Sequence, residues 1–314
     1  MKKVLALMAI SLSAIMLCAA DLSPGQSPAG PASVATEKST APADDPLLRP
    51  IAPDYAKRWL TPEAPIRVFG NTYLVGFGGI SVGLIKTSAG LILIDGAVPQ
   101  AVADLEANIR ELGFSIRDVK LILSTEPHYD HAGGLAALAR DSGATVIASA
   151  PAAAVLASGG RDANDPQADI LEPFPIPARI RAVRDGDAIR LGDVTVMPIA
   201  TPGHTTGSMS WRWRSCEGKD CADVLFASSL NPVSAPNWRF AAHPERVSLF
   251  RATFAKVRAL PCDILLSAHP DQSGGDTKLA RLRETRTPNP FRDPGACLNY
   301  AERFNKSLES TLNK

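Results

Sequence analysis

The stretch Glu126-Pro127-His128-Tyr129-Asp130-His131-Ala132-Gly133-Gly134 decides how this chain folds and what it can bind. It follows the apolar run Val119–Leu123, which is typical of a buried strand, and it precedes residues 135–140, which are typical of a helix. Several nitrogen and oxygen donors therefore share one strand-to-helix turn. Such a turn can aim them at a common point, as a metal ion requires.

The remaining donors come from histidines further along the chain. His204 lies in Pro202-Gly203-His204-Thr205 and His269 lies in Ser267-Ala268-His269-Pro270, so four of the five histidines occupy turns punctuated by Gly or Pro. The fifth, His243, stands before a proline at a helix start and is interpreted as solvent-facing. Six donors would serve two ions, three for each ion of a dinuclear hydrolytic site: Glu126, His128, Asp130, His131, His204 and His269.

Bulk composition excludes some classes of partner. The chain has 314 residues, a formal net charge of +1 and only 6% aromatic residues. A nearly neutral chain gives no electrostatic reason to bind nucleic acid, and few aromatics leave little surface for base stacking. We expect one large domain, a small-molecule substrate, a monomer, and no membrane attachment once the N-terminus is cleaved.

The N-terminus predicts export. Lys2 and Lys3 precede an apolar segment, residues 4–17, that is too short to span a bilayer comfortably, and Cys18-Ala19-Ala20 offers small residues for cleavage. We assign residues 1–20 to a signal peptide for the periplasm. A lipid anchor on Cys18 is the alternative, which the bulky residues before it disfavour. Residues 21–46, rich in small residues and Pro, are predicted to form a flexible leader, and residues 47–314 the folded domain.

The cysteines that remain after cleavage can pair. Cys216 and Cys221 flank a polar turn between two strand-like runs, so they are expected to bridge a hairpin. Cys262 and Cys297 would then tie the C-terminal tail to the last strand. Four cysteines in an oxidising compartment favour two disulfides. Free thiols are the alternative interpretation.

The order of elements predicts layered sheets. Strand-like runs separated by turns occupy residues 66–93, a helical stripe occupies residues 101–112, and strands followed by a helix recur up to residues 244–260. A last apolar strand then leads into His269. This α/β order fits two sheets stacked face to face with helices outside.

These residues resemble a known family. His128-Tyr129-Asp130-His131, with Gly203-His204-Thr205 and His269, resembles the metallo-β-lactamase superfamily from about Trp59 to the C-terminus. The fold that this resemblance implies is the αββα four-layer sandwich, with two mixed sheets, helices outside and metals at the edge of the sheets.

A second resemblance narrows the group. Asn71-Thr72-Tyr73, Leu93-Ile94-Asp95-Gly96 and Ser228-Ser229-Leu230 look like the third subclass of class B β-lactamases, an exported zinc-dependent group. Ser229 matches the serine that this subclass has where other class B enzymes place a cysteine ligand. The resemblance implies two zinc ions, the first bound by Glu126, His128 and His204 and the second by Asp130, His131 and His269.

Glu126 departs from the family pattern, which has histidine at this position. A carboxylate replaces a neutral donor with an anion and lowers the net positive charge of the site. We hypothesise that the first zinc is consequently a weaker Lewis acid or a weakly occupied site. The alternative is a carboxylate that lies behind the ligands without touching metal.

The activity implied by the resemblance is hydrolysis of the β-lactam amide of penicillins and cephalosporins, with carbapenems as a further candidate, by a metal-bound hydroxide. Asp130 is the residue expected to hold the second metal and orient the nucleophile. Ser229 and Asn231 would bind the substrate carboxylate, and Trp238 stands where the subclass often has tyrosine, with a packing role equally open. Thr205 and Asp95 are candidates to orient ligands, Asp95 alternatively as a turn residue.

Other functions remain alternatives on the sequence. A lactone or thioester hydrolase of the same superfamily would use the same two metals on an ester carbonyl. Another alternative is a protein that binds zinc without catalysis, because the negative charge of its site prevents activation of water. A serine nucleophile is disfavoured because Ser228 and Ser229 lie in no Gly-x-Ser-x-Gly elbow.

Overall fold

The computed structural model describes residues 44–313, and a seven-stranded sheet organises the first half of them. Its strands, which neighbour one another in chain order, are β1 (Ile66–Phe69), β2 (Thr72–Leu74), β3 (Gly83–Thr87), β4 (Gly90–Ile94), β5 (Val119–Leu123), β6 (Thr145–Ser149) and β7 (Ile180–Val183). The pairings from β1 to β4 are antiparallel, and those from β4 to β7 are parallel. The turn Glu126–Gly134, which carries four of the six donors and is called the motif turn below, follows β5.

A five-stranded sheet follows. Its strands are β8 (Ile189–Leu191), β9 (Val194–Ala200), β10 (Met209–Glu217), β11 (Asp220–Ala227) and β12 (Ile264–Ser267), in the spatial order β12-β11-β10-β9-β8. Only the β11–β12 pair is parallel among the pairings described for this sheet. In the β10–β11 hairpin Cys216 lies opposite Cys221, and the two form a disulfide.

Helices cover both outer faces. They are α1 (Pro53–Ala56), α2 (Val102–Glu111), α3 (Tyr129–Ala132), α4 (Leu135–Ser142), α5 (Ala150–Ala157), α6 (Pro244–Arg258), α7 (Gly275–Glu284) and α8 (Ala296–Leu312). Short 3-10 turns occupy Pro46–Leu48, Pro99–Ala101, Ile116–Asp118, Phe240–Ala242 and Pro270–Gln272. The sequence analysis assigned no helix after His269, whereas the structure places α7 and α8 there.

The layers follow from alternation along the strands. In β4, Leu91 and Leu93 pack towards the helices while Ile92 and Ile94 pack between the sheets. In β11, Phe226 packs between the sheets while Leu225 lies under α6 and α8. Side chains of a strand point alternately to its two faces, so both sheets bury both faces. The result is the αββα four-layer sandwich that the resemblance implied.

A second disulfide fixes the C-terminal helix. Cys262, just before β12, is bonded to Cys297 in α8. Both cysteines are buried beside Tyr300 and Phe304 of the same helix. The structure thus has the two predicted pairs, and the free-thiol alternative does not describe it.

The predicted signal peptide, residues 1–20, lies outside the described residues, as does the predicted leader up to residue 43. At the leader's end, Asp45 accepts a hydrogen bond from the Leu47 amide and pairs with Arg140 of α4. Asp45, which lies within the predicted leader, therefore contacts the folded domain. None of the helices within residues 44–313 has the length and apolar character of a membrane span.

Candidate metal centre

The donors converge because several strands end at one edge of the sandwich. The motif turn follows β5, Asp95 follows the neighbouring parallel strand β4, and His269 follows β12 of the other sheet. His204 comes from the loop between β9 and β10. Carboxyl ends of neighbouring parallel strands share an edge, which is where α/β sheets place their ligand sites.

The structure brings together all six donors, in two groups of three. Within each group, one ligand atom per residue lies within 4.8 Å of the others: Glu126, His128 and His204 in the first, and Asp130, His131 and His269 in the second. Within the first group, His204 Nε2 is 3.2 Å from His128 Nδ1. Glu126 Oε1 of the first group is 2.9 Å from His131 Nε2 of the second, so the two groups adjoin.

A carboxylate that the sequence analysis did not identify orients His128. Asp165, buried in the long loop between α5 and β7, lies with Oδ2 3.0 Å from His128 Nε2. A proton on Nε2 that is donated to Asp165 leaves Nδ1 free as a metal ligand. The buried Arg246 of α6 steadies this loop, since its guanidinium donates to the Asn164 carbonyl at 2.7 Å and to the Gly203 carbonyl at 3.3 Å.

Two further histidines are oriented by hydrogen bonds in the same way. Each directs one ring nitrogen to a backbone carbonyl and the other towards the donor group. The hydrogen bonds join His204 Nδ1 to the Asn231 carbonyl at 2.8 Å and His269 Nδ1 to the Gly79 carbonyl at 2.9 Å. His131 Nδ1 lies 3.5 Å from Asp95 Oδ2 and has no hydrogen-bond partner among the described residues.

Asp95 and Thr205 support ligands through the chain beside them. The Asp95 carboxylate accepts hydrogen bonds from the Thr125 amide at 2.7 Å and the Thr125 hydroxyl at 2.6 Å, which fixes the residue before Glu126. Burial raises the pKa of Asp95. Thr205 instead contacts Ser208, at 2.9 Å between their hydroxyls, and so shapes the loop that carries His204.

Glu126 is held by Ser229. The Ser229 hydroxyl donates to Glu126 Oε1 at 2.7 Å and its amide donates to Oε2 at 3.2 Å. Both residues are fully buried, at 0% and 1% exposure, and Ser229 does not line the cleft described below. The hydroxyl that the sequence analysis assigned to a substrate carboxylate is therefore engaged with Glu126 in this structure.

Electrostatics suit the donor set to cations. Burial alone would raise the pKa of Glu126 and of Asp130, but the neighbouring imidazoles, His131 foremost, hold the pKa of both carboxyls below the usual range. Burial opposes charge on His131, yet the Asp130 and Glu126 carboxylates raise its pKa well above normal. Burial lowers the pKa of His204. The carboxylates that attract a proton to His131 would equally attract a metal cation, and metal binding displaces such protons, so these residues fit the implied ions.

A cleft of about 840 Å³ opens over both donor groups. The loop between α5 and β7 supplies one wall, the Gly78–Gly79 turn supplies another, and the segment from Ala52 to Trp59, which contains α1, forms a third. Among the lining residues are Tyr55, Arg58, Trp59, Gln167, Ile170, Glu172, Asn231, Val233 and Asp271.

Two aromatic side chains and one histidine lie outside the donor groups. Phe174 is buried in the core under the helices. Trp238 stacks on His243 with ring centroids 3.8 Å apart, and neither lines the cleft. His243 is accordingly only partly solvent-facing, with 35% of its side chain exposed.

Known proteins share this architecture. Residues 75–269 match the metallo-beta-lactamase superfamily. A B3 metallo-β-lactamase with an active-site glutamic acid is 50% identical, covers 86% of this chain and 98% of its own, and superposes with a TM-score of 0.79. The Rm3 metallo-β-lactamase is 42% identical over 84% of this chain and 98% of its own, with a TM-score of 0.81.

Among curated proteins, a hydroxyacylglutathione hydrolase of Rhodopseudomonas palustris is 29% identical over 182 residues. That alignment spans 58% of this chain and 58% of the hydrolase. The chain therefore matches less than two thirds of that relative.

Proposed function

This chain belongs to the metallo-β-lactamase superfamily, and on that premise we propose that it is a subclass B3 enzyme opening the β-lactam amide of antibiotics at a two-zinc centre. The observation that carries the proposal is the pair of adjoining three-donor groups with Glu126 in the first. A B3 metallo-β-lactamase with an active-site glutamic acid is half identical to this chain over nearly its whole length. The imidazole and carboxylate ligands support zinc.

The bound ions would supply a nucleophile at neutral pH and polarise the lactam carbonyl. Asp130 lines the cleft, and its Oδ2 lies 3.4 Å from Nε2 of both His131 and His269. We assign this carboxylate to orienting the attacking water by accepting a hydrogen bond from it. The water oxygen bonds to the carbonyl carbon as the C–N bond breaks, and the proton ends on the ring nitrogen.

A thioester hydrolase is the second candidate, because the curated relative is a hydroxyacylglutathione hydrolase. Charge in the cleft favours the lactam. A glutathione moiety carries two carboxylates and one ammonium, whereas the lining residues of the described chain include one guanidinium, Arg58, and the acids Asp130, Glu172 and Asp271. A β-lactam with a single carboxylate matches one guanidinium better.

The test is turnover by the purified protein of a chromogenic cephalosporin and of a lactoylglutathione thioester, with zinc added in steps and a chelated control. We expect zinc-dependent cephalosporin hydrolysis that His269→Ala abolishes. His243→Ala, which changes a histidine outside both donor groups, should retain it. Turnover of the thioester alone would replace the proposal with the second candidate, and turnover of neither would overturn both.

We also propose export to a periplasm, from the N-terminal sequence. Cell fractionation and N-terminal sequencing test this proposal, with a mature chain that begins at Asp21 as the expected result. A lipid on Cys18 or a cytoplasmic full-length chain would contradict it.

A further inference from the structure

One guanidinium faces the cleft. Arg58 is the only lysine or arginine among its lining residues in the described part of the chain. It is exposed, and no carboxylate of the described residues lies within ion-pair distance of it. The adjacent Lys57, by contrast, lies 2.8 Å from Asp54 and does not line the cleft. Arg58 therefore offers an uncompensated positive charge to whatever enters.

Aromatic rings set the position of this charge. The guanidinium carbon of Arg58 lies 3.4 Å from the centroid of the Tyr55 ring and 4.6 Å from that of Trp59. Stacking on aromatic faces restricts a guanidinium without using its N–H donors. Its edge stays free for a planar anion, which a guanidinium binds with two parallel hydrogen bonds.

The backbone beneath Arg58 is fixed to the metal centre. The Gly79 amide donates to the Trp59 carbonyl at 3.0 Å, and the Gly79 carbonyl accepts from His269 Nδ1 at 2.9 Å. A Cβ on Gly79 would come within 2.8 Å of the Arg58 carbonyl, so the two segments touch closely. The position of the Arg58 backbone relative to the donor groups is thus set by a short chain of contacts, and recognition of one part of a substrate requires such positioning.

One of the two residues expected to bind the substrate carboxylate, Ser229, is otherwise engaged. Ser229 gives its hydroxyl and its amide to Glu126 and is 1% exposed. A second partner for that hydroxyl proton would require Glu126 to lose its donor, leaving a buried carboxylate less satisfied. The other residue, Asn231, lines the cleft but carries no charge. A charged anchor for the substrate carboxylate must therefore come from another residue of the cleft.

We propose that Arg58 is this anchor: it binds the carboxylate that penicillins and cephalosporins carry beside the lactam nitrogen, and so it determines specificity for anionic substrates. This inference rests on the proposed β-lactam hydrolysis. Three of the exposed large apolar side chains also line the cleft, namely Tyr55, Ile170 and Val233, and they provide contact for an uncharged acyl substituent.

The experiment compares Arg58→Gln with the matched control Lys57→Gln, which removes the same charge one residue away and outside the cleft. Each is assayed with a cephalosporin as the free acid and as its methyl ester. Because hydrogen bonds to charged groups contribute more than neutral ones, Arg58→Gln should raise KM for the acid about tenfold or more and leave kcat within about twofold. KM for the ester should not change, Lys57→Gln should match the wild type, and Arg58→Lys should be intermediate.

Two results would overturn the inference. An unchanged KM for the acid would show that Arg58 does not bind the substrate. An equal rise for acid and ester would show that the side chain only shapes the wall. Thermal melting of Arg58→Gln checks folding, which the exposed position should leave intact. Failure of the wild type to turn over either cephalosporin would instead overturn the proposed function, and this inference with it, so the two failures are distinguishable.

Discussion

Both carboxylate oxygens of Glu126 are bound by one residue, Ser229, through its hydroxyl at 2.7 Å and its backbone N–H at 3.2 Å. The histidine found at this position in the family pattern is neutral, whereas a buried carboxylate needs donors to stay ionised. Ser229 supplies two of them. The residue that replaces a ligand and the residue that would contact substrate are therefore coupled in this chain.

Ser229→Ala should weaken metal binding rather than substrate binding. It removes the hydroxyl donor and leaves only the backbone N–H to hold Glu126, so we expect metal affinity to fall about tenfold, in the range for partners of ligands. Titration against a competing chelator measures this affinity. Ser229→Thr keeps a hydroxyl and should retain most of it. A raised KM with unchanged metal affinity would return Ser229 to substrate recognition.

Glu126→His should extend activity to lower pH. A neutral imidazole in place of the carboxylate raises the net positive charge of the first donor group, and we expect the acid limb of the kcat/KM profile to move down by roughly one pH unit. Glu126→Gln, neutral and of the same size, is the matched control for charge. An identical pH profile and identical metal affinity for Glu126→His would contradict the hypothesis that Glu126 weakens the first zinc as a Lewis acid or lowers its occupancy.

Asp165→Asn should cost metal affinity although Asp165 is no ligand. An amide in place of the carboxylate weakens the contact that places the proton on His128 Nε2, and such partners change affinity or activity by about 10–100-fold. Asp169→Asn, an exposed acid of the same loop, is the control. Equal metal affinity in the two variants would show that Asp165 serves only the loop.

Glu106→Gln should remove a pH dependence of stability. Burial and the nearby Asp141 carboxylate raise the pKa of Glu106 from 4.5 to about 7, and its Oε1 is buried without a partner among the described residues. Between these values the folded state retains a proton that the unfolded state has lost, so the unfolding free energy falls as pH rises. Solvent screening reduces the contribution to roughly 1–2 kcal/mol, because the side chain is only half-buried.

Urea unfolding at about pH 4 and pH 8 measures this contribution. From pH 4 to pH 8 the unfolding free energy of Glu106→Gln should fall less than that of the wild type. Glu111→Gln, a change at an exposed position of the same helix, should show the same fall as the wild type. Parallel pH dependence in Glu106→Gln and the wild type would exclude Glu106 as the source.

The two disulfides should contribute unequally. The Cys262–Cys297 bond joins residues 35 apart, and the Cys216–Cys221 bond joins residues 5 apart. Chain entropy predicts roughly 3–4 kcal/mol for the first and about 2 kcal/mol for the second. Unfolding of the paired Cys→Ala variants under one condition gives both losses. A larger loss from the hairpin pair would show that the entropy of the unfolded chain does not set the order.

Local pattern was sufficient for most of the fold. The apolar run of β5 and the glycines after His131 predicted the strand, the turn and the helix that follows, and β5 has the predicted bounds. The helix α8 was missed although Cys297, Tyr300, Phe304 and Leu308 repeat on one buried face. Their spacing of three or four residues is itself a helical signal in the sequence.

Two of the residues that form and support the cleft could not be predicted from local sequence pattern. Asp165 and Arg58 lie in stretches without periodicity, 37 residues after His128 in one case and before the first strand in the other. Neither an aspartate in a loop nor an arginine before a tryptophan belongs to a sequence pattern that predicts a function. Their roles come from contacts with residues that are distant in the chain, such as Gly79 and His128.

The sequence by itself predicted the six donor residues that converge, the layered fold and the superfamily, because a strand-to-helix turn and alternating apolar residues act over a few positions of the chain. Only the tertiary structure decided that Ser229 serves Glu126, that Asp165 orients His128, and that Arg58 alone among basic residues lines the described cleft. The first two relationships join residues 103 and 37 positions apart. Hydrogen bonds and ion pairs act over a few ångströms, so only folding determines which of these groups meet.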